Sequence, residues 1–481
     1  MNRFFCKILR IYIASALLCT LMCCAAAAAE GDVYTEIYYA RSAGARPELV
    51  GTAFFRSDAF WVPADSLRTM GVPLVNGEDD KTFYIDVKNP SRAFDCAALN
   101  QLAGREIRLA FPALTEDGVS YFNMIGMQNL TKLNFKRDRD AIVFTPNKSN
   151  KSYVRSSIPR PSRKRGKFTM VWEHIAKENP NLNAESTIPG LDVISPTWFN
   201  LADENGGMAN RASFAYTEAA HRKGYFVWGL VSNGFSASKT SAFFSNKNAA
   251  DIFAARILIY AKMYGLDGVN IDFEGMKETD RARYVLFFSK LSKTLRAEGL
   301  TVSVDVFIPA DTRSSRSHDR AALARYADYI MLMAYDEHWR TSPTAGSVAS
   351  LPWVTKAVEG TLAEGVPASK LVLGVPFYMR RWEETRTGKN VKVKSYTLTM
   401  EQAEEVSARR NAPMQWLESI GQHYFTYMLN GKRQMVWVED AESIKRKLEL
   451  VNKHNLAGMA AWRKGHEKPE VWNVISLMMG K

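Results

Sequence analysis

From residue 168 onward, apolar and β-branched runs of five to eight residues alternate with longer stretches of helical periodicity. Such alternation predicts strands joined by crossover helices, for example Ala249–Tyr264, Thr279–Glu298 and Asp440–His454. Eight candidate strands within residues 168–481 predict an α/β fold, the (β/α)8 TIM barrel. The candidates are Phe168–Trp172, Leu191–Pro196, Tyr225–Val231, Gly268–Glu274, Thr301–Ile308, Tyr329–Tyr335, Leu371–Tyr378 and Leu456–Trp462.

The stretch 383–438, between the seventh and eighth candidate strands, is too long for a simple crossover. We therefore expect an inserted α+β piece there, forming a wall on one side of the cleft.

Residues 30–147 have a different hydrophobic pattern, which predicts a small α+β domain. Short alternating runs such as Val33–Tyr39, Thr82–Val87 and Ala141–Thr145 are separated by Gly, Asp, Asn and Pro. Two stretches look alike, each giving a strand, a short helix and a hairpin with a charged turn. Their strands begin at Ala59 and Val119, and their helices are expected at Asp65–Met70 and Met124–Leu130. The region resembles the stalk-like N-terminal domain of copper amine oxidases, which implies a binding or spacing module. It implies no copper site, because no histidine cluster occurs there.

Residues 1–29 have the pattern of a secretory signal peptide. Arg3, Lys7 and Arg10 precede an apolar stretch, and a run of small residues suited to cleavage follows. Export to the cell envelope or the medium is the expectation, with contact to a membrane only if the segment is not cleaved. A lipid anchor on Cys23 is the alternative. The mature chain would keep only Cys96, so no internal disulfide is expected.

Residues 148–167 form a basic linker with eight Lys and Arg and no acidic residue. A solvated hinge and a polyanion-binding segment both fit this composition. The whole chain carries a formal net charge of +13, which favours attraction to wall polymers or lipid head groups. Nucleic acid is not an expected partner, because no zinc, helix-turn-helix or aromatic RNA-binding motif is present.

The fourth candidate strand carries the chemistry. Side chains alternate along a strand, so Asn270, Asp272 and Glu274 share one face while the apolar residues between them share the other. The apolar face packs under the helices, which turns the polar face into the barrel. Burying carboxylates there costs several kcal/mol unless they are paired or used, on the order expected for desolvated ions. A buried structural network is the alternative to a catalytic site.

The same strand brings a family resemblance. Leu266-Asp267-Gly268-Val269-Asn270-Ile271-Asp272-Phe273-Glu274 matches the signature of glycoside hydrolase family 18, the chitinase family. The segments 331–336, 374–378 and 458–462 resemble its sixth, seventh and eighth strands in order. The segments 335–339, 348–353 and 462–467 are similar to bacterial spore-cortex and cell-wall members, which are N-acetylglucosaminidases. Many family members have Asp where this chain has Asn270, and the wall-lytic branch often has Asn.

The resemblance implies roles for individual residues. Glu274 would be the general acid and base, and the substrate's own acetamido group would replace a protein nucleophile. Asp272 would orient that group, and Tyr335 would donate a hydrogen bond to its oxygen. Trp462 would form the apolar floor under the sugar, unless it is a core residue. The further expected substrate contacts are Asn270, Asp336, Tyr378 and Arg381, with loop capping as the alternative for Asp336.

No metal-ligand spacing is present, and the implied mechanism requires no cofactor. The expected substrate is a polysaccharide containing N-acetylglucosamine, with cleavage of β-1,4 bonds in peptidoglycan. A chitinase and a catalytically silent sugar-binding protein are the alternatives. Trp198 and Trp228 are equally compatible with sugar platforms and with core positions. Asp267 and His338 are expected to be structural.

Overall fold

The computed structural model describes residues 32–42, 44–56, 59–76, 82–86, 108–124, 131, 133–146, 161–162 and 166–481. Outside these residues lie the signal-like segment, most of the basic linker and Cys96. The same holds for the helix expected at Met124–Leu130, apart from its first residue, and for the last residue of the strand expected at Thr82–Val87. Within the described part, no helix is both long and apolar enough to cross a membrane.

The described N-terminal residues form two sheets and the helix Ala64–Thr69. Phe60 and Val62 are fully buried while Trp61 between them is partly exposed, which is the alternation of a strand with one face on a core. The strands of the two similar stretches pair antiparallel, with Val62 opposite Phe122. The resemblance to the amine oxidase stalk remains a prediction. The larger sheet contains, in spatial order, Leu114–Glu116, Val119–Asn123, Ala59–Pro63, Glu48–Arg56, Val33–Tyr39, Ala141–Pro146 and Leu133–Asp138; the smaller contains Leu74–Asn76, Thr82–Asp86 and Arg108–Pro112.

Eight parallel strands close into a barrel, which confirms the predicted fold class. Each strand pairs with the next, and the first pairs with the eighth through Phe168 and Gly458. The strands are numbered β1 to β8 and span Phe168–Glu173, Val193–Pro196, Phe226–Ser232, Gly268–Asp272, Thr301–Phe307, Tyr329–Met333, Leu371–Pro376 and Gly458–Trp462.

Helices cover the outside of the barrel because each has an apolar face. In Arg281–Ala297, for example, Tyr284, Phe288, Leu291 and Leu295 recur at three- and four-residue spacing and are fully buried. The other helices around the barrel are Phe214–Arg222, Ala237–Ser245, Ala249–Met263, Arg313–Arg316, Arg320–Tyr326, Leu351–Ala363, Ala441–Lys453 and Glu470–Met478, with 3-10 turns at Leu182–Ala184, Glu278–Asp280 and Ala368–Lys370. A short hairpin, Phe199–Leu201 and Met208–Asn210, extends the sheet beside β3.

An α+β insertion lies between β7 and β8, as predicted. It begins at Met379 rather than at residue 383, because its first strand follows β7 after two residues and buries Met379 and Trp382. Its apolar start therefore looks like a continuation of β7 in the sequence. The insertion comprises the strands Met379–Thr387, Asn390–Leu398, Gln415–Leu417, Gln422–Leu429 and Lys432–Val438 and the helix Met400–Arg409.

Candidate active site

Strand β4 divides its side chains as the alternation predicts. Val269, Ile271 and Phe273 are fully buried, and the Phe273 ring stacks on those of Tyr284 and Phe287, each at 5.6 Å between centroids. The apolar side of β4 thus faces the helices. Asn270 and Asp272, on its other side, face the interior of the barrel.

A buried polar layer surrounds Asn270. The Asn270 Oδ1 atom accepts a hydrogen bond from Trp172 Nε1 at 2.8 Å, and its Nδ2 donates to Asp305 Oδ1 at 2.7 Å and to Ser303 Oγ at 3.0 Å. Burial raises the pKa of Asp305, although hydrogen bonds from Asn270 and Trp172 favour its ionised form. Asn270 therefore links β1, β4 and β5 beneath Asp272, and sequence reasoning missed Asp305 as a member of this polar layer. The sequence did contain a pattern that could have predicted Asp305. Ser303 and Asp305 alternate with valines on β5, just as Asn270 and Asp272 alternate with apolar residues on β4.

Asp272 and Glu274 share a hydrogen bond, and burial raises the pKa of both carboxyl groups. The nearby charge of Asp305 further raises the pKa of Asp272, and that of Asp272 further raises the pKa of Glu274. Glu274 consequently retains its proton to a higher pH than an exposed carboxyl would. The Asp272 Oδ1 atom is buried and has no hydrogen-bond partner among the described residues.

Glu274 lies past the end of β4, where the strand ladder no longer fixes the chain. Asn233, fully buried after β3, holds it instead: its Nδ2 donates to Glu274 O at 2.7 Å, and its Oδ1 accepts from Glu274 N at 3.0 Å. His318 Nε2 lies 3.1 Å from the carbonyl oxygen of Phe273. Gly275 turns the chain immediately afterwards with φ +63°, and a side chain there would meet the Phe235 carbonyl oxygen at 2.9 Å.

A second set of polar residues lies where β6 and β7 end. Tyr335 is half-buried, and its ring lies edge-on to that of Tyr378 at 6.4 Å. Asp336 has a left-handed backbone with φ +61°, and its Oδ1 accepts hydrogen bonds from Tyr378 Oη at 2.6 Å and Arg380 Nη2 at 3.0 Å. The predicted Arg381 instead places its guanidinium over the Tyr396 ring at 4.4 Å.

Sequence reasoning missed Arg380, because either of two adjacent arginines could have faced the cleft. Strand alternation sends successive side chains to opposite faces, and only the fold decides which face meets Asp336.

Trp462 ends β8 and is partly exposed, with its ring 6.4 Å from that of Trp172. The other two candidate tryptophans are core residues. Trp198 is fully buried and donates to Asn179, and Trp228 stacks on Phe168 inside the barrel. Asp267 accepts hydrogen bonds from Val227 N and His221 at the entrance of β4, and His338 contacts Ser347 O, as structural residues do.

At the C-terminal ends of the barrel strands there is thus a carboxyl group whose pKa is raised, Glu274, next to a second, buried carboxyl, Asp272. A tyrosine and a tryptophan flank the pair. A protonated carboxyl of raised pKa next to a second acidic group is the arrangement that general acid catalysis of glycoside cleavage requires.

The sequence model of glycosyl hydrolases family 18 matches residues 199–466. The match covers more than half of the 481 residues, and the chain belongs to this family. It is a glycosidase, related both to cortex-lytic enzymes and to chitinases.

Curated relatives from Bacillus subtilis (strain 168) include the uncharacterized glycosylase YvbX, 26% identical over 288 residues, which are 57% of this chain and 80% of the relative. The putative sporulation-specific glycosylase YdhD is 29% identical over 298 residues, or 59% of this chain and 69% of the relative. A cortical fragment-lytic enzyme is 28% identical over 221 residues, which are 45% of this chain and half of that relative.

Solved structures share the fold. The spore cortex-lytic enzyme SleL of Bacillus megaterium has a TM-score of 0.58 at 22% identity, covering 71% of this chain and 77% of that one. The structure of YdhD from Bacillus subtilis has a TM-score of 0.52 at 26% identity, covering 55% of this chain and 89% of that one.

Proposed function

We propose that this glycosidase hydrolyses β-1,4 bonds next to N-acetylglucosamine in peptidoglycan, by a retaining mechanism in which the substrate's acetamido group is the nucleophile. The hydrogen-bonded Asp272–Glu274 pair carries the proposal. Burial and the charge of Asp272 raise the pKa of Glu274, which favours its protonated form, and the Asp272 Oδ1 atom is buried with no partner among the described residues. Family 18 enzymes rely on the substrate in this way instead of on a second protein carboxylate as nucleophile.

In the first step Glu274 gives its proton to the glycosidic oxygen, and the bond from that oxygen to the anomeric carbon breaks. The acetamido carbonyl oxygen forms a new bond to the anomeric carbon, which gives an oxazolinium ion. Asp272 Oδ1 accepts a hydrogen bond from the acetamido N–H, and its negative charge stabilises the positive charge of the ring. Tyr335 donates a hydrogen bond to the acetamido oxygen.

In the second step the ionised Glu274 takes a proton from a water molecule. That water attacks the anomeric carbon, the bond to the acetamido oxygen breaks, and the configuration of the sugar is retained. Trp462 supports the reacting sugar from below, and Asp336 and Tyr378 bind its hydroxyl groups, with Arg380 holding Asp336 in place.

Two observations favour peptidoglycan as the substrate. Three curated relatives are named cortical fragment-lytic enzymes. The side chain at position 270, which hydrogen-bonds to Trp172 and Asp305, is the amide of Asn270. Many chitinases have a carboxyl group at this position. Chitin is the second candidate, since chitinase A1 of Niallia circulans is 25% identical over 254 residues. The signal-like segment 1–29 supports a place of action outside the cytoplasm, and the N-terminal domain would act there as a spacer or binding module.

The test compares purified wall glycan with chitin oligomers as substrates, with Glu274→Gln as the inactive control. Proton transfer of this kind contributes roughly 10²–10⁴-fold, so the variant should lose at least about that factor. Mass spectrometry of the products should find N-acetylglucosamine at the new reducing ends. A substrate with a hydroxyl in place of the 2-acetamido group should not be cleaved. Binding of either polymer without release of sugar by the wild type would instead identify a silent sugar-binding protein.

A further inference from the structure

Four basic residues at the mouth of the barrel lie close enough for their charges to act on one another, and one of them, His174, lies beside Trp462. His174 follows β1, and its ring centroid is 6.3 Å from that of Trp462. Arg463 follows β8 directly, and His466 lies four residues past its end. Arg211 follows the hairpin strand Met208–Asn210, and its backbone N–H donates to Trp198 O, shortly after β2, at 2.9 Å. His174, Arg211, Arg463 and His466 are called the basic cluster below.

Within the described part of the chain, no carboxylate pairs with the arginines of the basic cluster. The neighbouring Lys464 pairs with Glu173 and Glu185, each at 2.7 Å, and is neutralised. Arg211 and Arg463, by contrast, make no ion pair with any described residue. The guanidinium groups of the two arginines are therefore available to bind an anionic ligand.

The pKa values of the two histidines are lowered by burial and by the same excess of positive charge. Burial, and then Arg463 and Arg211, lower the pKa of His174. Burial, and then Arg463 and His174, lower the pKa of His466 to about 4. Both rings are thus neutral at pH 7 and free to act as hydrogen-bonding groups. The His466 Nδ1 atom is buried and has no hydrogen-bond partner in the described part of the chain.

We propose that the basic cluster binds a carboxylate of the glycan, carried next to the N-acetylglucosamine that rests on Trp462. The inference builds on the proposed function and names its substrate class as an acidic glycan. A guanidinium group donates two parallel hydrogen bonds to a carboxylate, which gives both orientation and energy. Chitin is uncharged and would leave both arginines without a partner. In wall glycan every second sugar carries an ether-linked lactate, which ends either in a free carboxylate or in a peptide with carboxylates of its own.

Binding to the inactive Glu274→Gln protein tests the site separately from catalysis. The probes are a peptide-free wall tetrasaccharide, the same tetrasaccharide with its carboxylates converted to methylamides, and chitotetraose. Calorimetry should show at least about tenfold tighter binding of the acid form than of the amide form, as expected when a charged hydrogen-bonded pair is removed. Added salt should shrink this difference.

Variants then test whether the difference in binding between the acid and amide forms depends on the two arginines. Arg211→Gln with Arg463→Gln, in the Glu274→Gln background, should remove the difference between acid and amide forms, and Arg463→Lys should keep part of it. Arg325→Gln, an exposed arginine on an outer helix, is the matched control and should leave the difference unchanged. Because Arg211 is exposed, Arg211→Gln alone should fold and should reduce the difference even if the double variant does not fold.

The outcomes separate the two proposals. Equal binding of the acid and amide forms, or a difference that survives the double variant, overturns the basic cluster as a carboxylate site even if the wild type cleaves wall glycan. Preferred binding of the acid form supports the site even if no cleavage is found, in which case the proposed function alone fails.

Discussion

The carboxamide of Asn233 holds the backbone of Glu274 from both sides, with hydrogen bonds of 2.7 Å to its carbonyl oxygen and 3.0 Å from its amide N–H. Asn233 is fully buried and also donates to Thr240 Oγ1 at 2.9 Å. The acid therefore has a fixed position although it lies in a loop. Fixed placement of a catalytic group is worth several kcal/mol of barrier in general, so a loosened loop should slow the reaction.

Asn233→Ala should lower kcat by roughly 10–100-fold with a smaller change in KM, because Glu274 keeps its chemistry but loses its placement. Each lost hydrogen bond should also cost about 0.5–1.5 kcal/mol of unfolding free energy. Steady-state kinetics and urea denaturation measure the two effects. Asn248→Ala, at an exposed helix end with no side-chain capping bond, is the control. A normal kcat in Asn233→Ala would contradict the positioning role.

Asp272→Asn should move the alkaline limb of the kcat/KM profile to lower pH. Burial raises the pKa of Glu274, and the charge of Asp272 raises it further. Removal of that charge lowers the pKa, so the acid loses its proton at a lower pH. The maximal rate should also fall by roughly 10²–10³-fold with the loss of the stabilising charge. Asp311→Asn, an exposed acid outside the site, should leave the profile unchanged. An alkaline limb at or above the wild-type position would refute the coupling of the pair.

Arg380→Gln should lower kcat/KM more than Arg381→Gln does. Arg380 is buried and holds Asp336 at 3.0 Å, whereas Arg381 lies over the Tyr396 ring within the insertion. Because Tyr378 still binds Asp336 in the first variant, the loss should be that of a single hydrogen bond to a charged group, about 10–150-fold. The two variants differ by one position and by no net charge, so each controls for the other. Equal losses in the two variants would contradict the role of Arg380 in holding Asp336.

Lys447→Met should destabilise the protein by about 3–5 kcal/mol at pH 8, because it leaves Glu439 buried without its partner. Both side chains are fully buried and 2.8 Å apart, where the insertion joins the helix before β8. Burial raises the pKa of Glu439 to about 7 even beside Lys447. A raised carboxyl pKa favours the protonated folded state, so stability is lost as the pH rises through that value, and the deficit should be smaller at pH 5.

Denaturant unfolding at pH 5 and pH 8 measures this difference. Arg409→Met breaks an exposed pair with Glu405 and should cost no more than about 0.5 kcal/mol at either pH. A deficit in Lys447→Met that does not change with pH would contradict the assignment to Glu439.

The sequence could predict those residues of the candidate site that follow one another in a single alternating pattern. Asn270 and Asp272 alternate on β4, Glu274 follows two residues past its end, and apolar neighbours fix which face each side chain takes. The residues that were missed act across strands. Asn233 reaches Glu274 from 41 positions away, and Asp305 reaches Asn270 from 35. Such partners share no local spacing, so periodicity cannot find them.

The sequence by itself determined the barrel, the α+β insertion and the carboxyl pair. Hydrophobic periodicity sets which face of each element is buried, and a motif within one short segment can be recognised without its distant partners. Only the tertiary structure decided that Trp198 and Trp228 are core residues and that Arg380 rather than Arg381 meets Asp336. It also decided that Asn233 holds Glu274. These outcomes depend on the closure of the barrel, which brings the ends of distant strands within hydrogen-bonding distance.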